Sequence, residues 1–116
     1  MANFVSIWLG NFKNEDAFNQ YIEEIYDNEG DSKSKFMEDF KIDFIDNQFQ
    51  EAVFFNEKIK LEFLMDASYS KSFLDQLSDV DFKDDNSIIL LYDFSYNANI
   101  KSNNKVRFLG SYLFCK

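Results

Sequence analysis

Carboxylates at alternate positions, Asp27-x-Glu29-x-Asp31 with Glu38 further on, are the spacing in this chain closest to a reactive constellation. A calcium loop between two helices opens in that way. The match fails in detail. Ser32 stands sixth, where such a loop needs glycine for its sharp turn, and Lys33 and Lys35 bring positive charge among the ligands. The segment reads as a solvated helix-to-helix turn. Histidine is absent, which removes the commonest general base, the Ser-His and Cys-His nucleophile pairs and most zinc sites. The one cysteine, Cys115, excludes thiolate clusters and any intrachain disulfide, a usage that favours a reducing compartment. Neither glycine-rich phosphate loop occurs. Paired carboxylates can run acid–base hydrolysis across a cleft, but among 21 acids some pairing arises by chance. No catalytic residue, cofactor or metal ligand is assigned, and no enzyme is expected.

Lys101, Lys105 and Arg107 beside Phe108 and Tyr112 have the mixture of base and ring that an RNA-binding strand uses. The surrounding acidity favours outward-facing bases on a hairpin instead. Over the whole chain the formal charge is −9. Residues 1–50 hold eleven acids and four bases, residues 51–98 ten and four, and the segment from Asn99 onward four bases and no acid. Phosphates repel such a chain, so nucleic acid is not an expected partner. A basic protein is, by the same Coulombic argument reversed, although acidity also serves plain solubility.

The elements that must carry these residues follow from apolar spacing. With 116 residues there is room for one domain, 1–116. Its hydrophobic load rests heavily on 15 Phe, 6 Tyr and 1 Trp, each burying about 150–250 Å². Alternation over Phe4 to Leu9 predicts a first strand that buries Trp8. Asn14, followed by Glu15 and Asp16, predicts an N-cap, and Phe18, Tyr21, Ile22 and Ile25 predict a helix to about Asp27. A short helix is expected over 33–40, burying Phe36, Met37 and Phe40. Residues 42–56 suit either a helical turn or a strand.

Lys58 to Met65 alternates, which predicts a half-buried strand. Ser68 or Ser70 is expected to cap a third helix bearing Phe73, Leu74, Leu77 and Val80. Residues 87–96, apolar on both faces, predict a central strand, and 106–115 a last strand paired with it as a hairpin. The fold class is α+β, a mostly antiparallel sheet with about three helices packed on it. The longest apolar run, Ile88 to Tyr92, is far short of the ~20 residues a membrane span needs. The opening Met-Ala-Asn-Phe-Val-Ser turns polar at Asn11 without a secretory pattern. A cytoplasmic location is expected.

Taken in order, several segments resemble the bacterial immunity protein 22 family. They are Val5-Ser6-Ile7-Trp8-Leu9-Gly10-Asn11-Phe12, the acidic helix bearing Tyr21, Phe36 with Glu38-Asp39-Phe40-Lys41-Ile42, and Asp46-Asn47-Gln48-Phe49-Gln50-Glu51. Ser68-Tyr69-Ser70-Lys71-Ser72-Phe73, Leu90-Leu91-Tyr92-Asp93-Phe94-Ser95-Tyr96 and Phe108-Leu109-Gly110-Ser111 complete the set. Lys41 departs from a position where the family favours glycine, and Asn47 from one where an acid is common. Members are encoded beside polymorphic toxins, so the resemblance implies neutralisation of a cognate toxin by direct binding in the producing cell. Many such toxins are nucleases, whose sites are basic, and an acidic plug suits them. The alternative class is an adaptor or oligomerisation module that binds a basic protein through its aromatic-rich sheet.

A toxin-facing surface should combine acids, which steer the encounter, with exposed rings that hold the complex. Loops carry recognition on a rigid scaffold. The expected contact residues are therefore Asp43, Asp46 and Glu51 in the ambiguous stretch, Asp81, Asp84 and Asp85 in the second acidic turn, and Tyr69 as an anchor. The plainer reading is that Asp46 caps a helical turn and the second turn is only solvated.

Overall fold

A computed structural model describes residues 3–43, 45, 47–96, 100–102 and 105–115. Its centre is the first strand, β1 (Asn3–Gly10), whose residues 5–10 are all buried. Helix α1 (Glu15–Ile22) starts at Asn14, whose side chain accepts the Ala17 N–H at 2.8 Å. Helix α2 (Lys35–Phe40) starts at Ser34, whose hydroxyl accepts the Met37 N–H at 3.1 Å. Between them lies a small antiparallel ribbon of β2 (Ile25–Tyr26) and β3 (Ser32–Lys33). The chain continues through β4 (Gln50–Phe54), a 3-10 turn at Leu61–Asp66, α3 (Ser70–Phe73) and a further 3-10 turn at Leu74–Leu77. Strands β5 (Ser87–Tyr92) and β6 (Val106–Phe114) complete it. No described helix is long and apolar enough to cross a membrane.

The fold is α+β, as expected. The main sheet is antiparallel throughout, in the order β4-β5-β1-β6. Alternation along β1 sends Trp8 to one face, where it meets Phe36 and Phe40 of α2 in a core shared with Phe18 and Tyr21 of α1. Val5, Ile7 and Leu9 point to the other, against Leu64, Phe73, Leu77 and Phe82. Helical segments thus cover both faces, which explains why all six residues of β5 are buried.

Several expectations about elements are corrected. The second helix starts at Lys35, not at 33, because Lys33 pairs in β3 and Ser34 caps the helix. The first helix stops at Ile22, not Asp27. Glu23 and Glu24 would lie at the negative end of its dipole, and the Asp27 carboxylate instead accepts the N–H groups of Glu29 and Asp31 at 2.8 and 3.0 Å. With Gly30 at φ +88°, this closes the turn that pairs β2 with β3.

Lys58 to Met65 is not a strand. Three-residue hydrogen bonding (Phe63 N–H to Lys60 O, Ala67 N–H to Leu64 O) puts Leu61, Leu64 and Ala67 on one side. Ile59 and Leu64 are buried while Met65 is 64% exposed. Neither Ser68 nor Ser70 caps α3. Tyr69 holds that position at φ +59°, and the Ser70 hydroxyl donates to Met65 O.

Strands β5 and β6 share the sheet but are not neighbours, because β1 lies between them. β5 ends at Tyr92, not at 96 as expected: Asp93 turns the chain at φ +56°, after which Phe94 N–H bonds Phe4 O. Ser6 then donates to Phe94 O at 2.5 Å, and Tyr96 N–H reaches the Ser6 and Ser111 hydroxyls at 3.2 and 3.3 Å. The chain is thereby carried past β1 before β6 begins. β6 accommodates the approach with one extra residue opposite Ile7 and Trp8, next to Gly110 at φ +154°.

Candidate protein-binding surface

The β2–β3 ribbon projects the most exposed large apolar side chains among the described residues, Ile25 at 68% and Tyr26 at 71%. Adjacent residues of a strand point to opposite sides, so the ribbon presents an apolar group on each. Glu23, Asp27, Glu29 and Asp31 are exposed around them. Beneath the ribbon lies a concavity of about 520 Å³ whose lining includes Glu24, Asp27, Asp31 and Asp43 with Lys33 as its base. Lys33 is largely spent within the molecule, donating to Ile42 O at 3.0 Å and lying 3.5 Å from Asp43. Carboxylates outnumber ammonium groups here, and the surface attracts cations.

The seven expected contact residues fall in different places. Asp43 joins the ribbon's concavity, its side chain fully exposed. Asp46 lies outside the described residues. Glu51 and Tyr69 meet on either side of Tyr92. The Glu51 carboxylate accepts the Tyr92 hydroxyl at 2.6 Å and the Ser68 N–H and hydroxyl at 3.0 Å each. The Tyr69 ring lies 5.8 Å from Tyr92 and 5.3 Å from Phe114, and remains 46% exposed.

Asp81, Asp84 and Asp85 sit at the other end of β5, about 17 Å away at roughly 3.3 Å per residue. There Arg107 binds the Asp85 carboxylate at 2.9 Å and the Asp81 carbonyl at 2.6 Å. The Asp81 side chain accepts the Lys83 N–H at 2.9 Å. Asp84 remains exposed. The bases that suggested a nucleic-acid strand are engaged likewise: Lys101 lies over Phe108 and Lys105 over Tyr21, at 5.8 and 5.6 Å.

Sequence reasoning missed the exposure of Ile25 and Tyr26 by assigning them to a helix. The signal was present in Asn28-Glu29-Gly30-Asp31, a turn composition directly after a β-prone Ile-Tyr pair.

The Glu51–Tyr92 bond has a consequence for stability. Burial first, and donation to Glu51 second, push the Tyr92 phenol well above its ordinary 10.0. The folded chain therefore keeps this proton at a pH where the unfolded chain releases it. Its stabilising effect is complete below pH 10 and declines as the pH rises above that. Urea unfolding at pH 9 and pH 11 should show a smaller alkaline loss in Tyr92→Phe than in the parent. Burial raises Tyr96 and Tyr112 too, so part of the loss should persist. At neutral pH the same variant should cost about 1–2 kcal/mol, since Glu51 and Ser68 O lose a donor.

The fold and this surface define an acidic α+β protein whose exposed features suit contact with another protein. No curated protein and no solved structure matches the chain. It belongs to the Immunity protein 22 family, whose model matches residues 5–114. Membership gives it a toxin-immunity role in general terms, with a toxin as the class of partner, in a family that is generally non-enzymatic.

Proposed function

We propose that this chain neutralises its cognate toxin by binding it one to one, in the cytoplasm of the producing cell, without chemistry of its own. The observation that carries the reading is the β2–β3 ribbon, where Ile25 and Tyr26 stand exposed among carboxylates. Charge at the rim accelerates encounter, and desolvated rings slow release. The fitting partner is a basic protein, such as a nuclease that grips phosphate.

The test is binding to the toxin encoded beside this chain. A 1:1 complex should form, with an association rate that falls about tenfold or more between low and high salt. Tyr26→Ala should weaken the complex by about 2 kcal/mol, mostly through faster dissociation. The variant's unfolding midpoint should barely move, because the ring is largely exposed. An association rate indifferent to salt would sink the electrostatic part. Full affinity in both Tyr26→Ala and Ile25→Asp would remove the ribbon from the interface. Absence of any complex, with no protection of toxin-producing cells, would overturn neutralisation by binding.

A further inference from the structure

We propose that the groove beside β4 takes an extended segment of a partner protein as an added strand, carrying an apolar and a basic residue two positions apart. This inference rests on the sheet edge and does not depend on the toxin reading.

β4 is the outermost strand on its side, and among the described residues no group outside β5 bonds its backbone. The opposite edge is closed. There Phe108 N–H bonds Lys101 O at 2.6 Å, Gln76 donates to Leu113 O at 2.7 Å, and Cys115 N–H meets the Ser72 hydroxyl at 2.9 Å. An open edge is a template for another strand.

Below the β4 edge lies a groove of about 200 Å³. Buried Ile88 and Leu90 form its floor, and the half-buried rings of Phe55 and Phe63, 5.2 Å apart, form a wall. Val53 stands over it, 42% exposed on a strand where a paired neighbour would cover it. Sites for free ligands run roughly 300–1,000 Å³, so this groove is sized for one or two side chains of a longer molecule.

Charge selects the occupant. Glu51 and Asp66 line the groove, and no base among the described residues does. The Glu51 carboxylate is held by neutral donors, Tyr92 and Ser68, and no lysine or arginine among the described residues pairs with it. A second copy of this chain would set these carboxylates against their own kind. A basic segment would neutralise them. Side chains of an added strand face the groove at every second position. Val53 and Glu51 lie two residues apart on that face, opposite Ile88 and Leu90, so an apolar residue should fall beside Val53 and a lysine or arginine beside Glu51.

The experiment titrates nitrogen-15-labelled protein with a capped peptide of sequence Thr-Val-Thr-Lys-Thr-Val-Thr-Lys-Thr. Amide shifts should centre on residues 50–55 and 63–67, and added salt should weaken them. Glu51→Gln should reduce affinity about tenfold, the equivalent of one charge-assisted hydrogen bond. Val53→Asp, at an exposed position, should abolish the shifts while the chain stays folded. Backbone N-methylation of the peptide at alternate residues should block binding in one register and spare it in the other. Shifts centred on the 25–33 ribbon, or tolerance of N-methylation in both registers, would overturn strand addition at β4. So would a concentration-dependent dimer that Val53→Asp dissolves.

Discussion

Trp8→Ala should lower the unfolding free energy by about 3 kcal/mol, at the lower end of the roughly 3–5 kcal/mol typical of large aromatic truncations. The indole is completely buried. It lies 5.0 Å from Phe36 and Phe108, 5.2 Å from Tyr96 and 5.8 Å from Phe40. These rings come from α2, β6 and the segment that carries the chain past β1, so one truncation loosens three separate contacts. The opposing effect is smaller. Trp8 Nε1 is buried with no hydrogen-bond partner among the described residues, a cost of about 1–3 kcal/mol that alanine removes. Trp8→Phe, which keeps a ring and loses the N–H, should therefore fall well short of the alanine effect. Equilibrium urea unfolding measures both, and protection against the toxin should track the folded fraction. An alanine variant with parental stability and no protection would move Trp8 from the core to the interface.

The helix start at Asn14 and the existence of the central strand beginning at Ser87 were legible because each is announced locally. One has a capping side chain, and the other an apolar run that only a strand covered on both faces can hide. The cap at Ser34 was missed, and the second helix begins two residues later than expected. What else was misread depends on competition between segments distant in sequence. Ile59, Leu61, Phe63 and Met65 alternate as a strand does, yet β4 already occupies the place beside β5. A hairpin of β5 with β6 is the shortest connection, but Ser6 on β1 binds the Phe94 carbonyl and the Tyr96 N–H and draws the chain across. Residues Ile25 and Tyr26 continue the helical spacing of Phe18 and Tyr21. Glu23 and Glu24 at the helix end and the Asp27 side chain, turned back on its own loop, break it. Composition indicated an acidic surface with rings, but not which carboxylates are already taken. Asp85 is neutralised by Arg107 inside the fold, Glu51 accepts bonds from Tyr92 and Ser68 but keeps its negative charge uncompensated by any described base, and solvent reaches Asp43 and Asp84.

Asp84 and Asp85, adjacent and identical in type, should respond very unequally to charge reversal. Asp84 is exposed, so Asp84→Lys should change stability by no more than about 0.5 kcal/mol. The Asp85 side chain is 12% exposed and its partner Arg107 27%. Asp85→Lys would place a second cation against that guanidinium. Breaking a fully buried pair costs about 3–5 kcal/mol and an exposed one about 0–1. This pair stands between them, and a loss of about 2–3 kcal/mol is expected. The backbone adds to the effect, because Ile59 N–H bonds Asp85 O and Asp85 N–H bonds Phe82 O. A displaced Asp85 would loosen the turn that Arg107 ties to β6 through Asp81 O. The pairwise part can be isolated in a double-mutant cycle of Asp85→Asn and Arg107→Gln, read by urea unfolding. Strong coupling in the cycle, with Asp84→Lys silent, would assign Asp85 to the architecture of the sheet's end. Additive single effects, or an Asp85→Lys variant as stable as the parent, would show that the ion pair does not hold this turn.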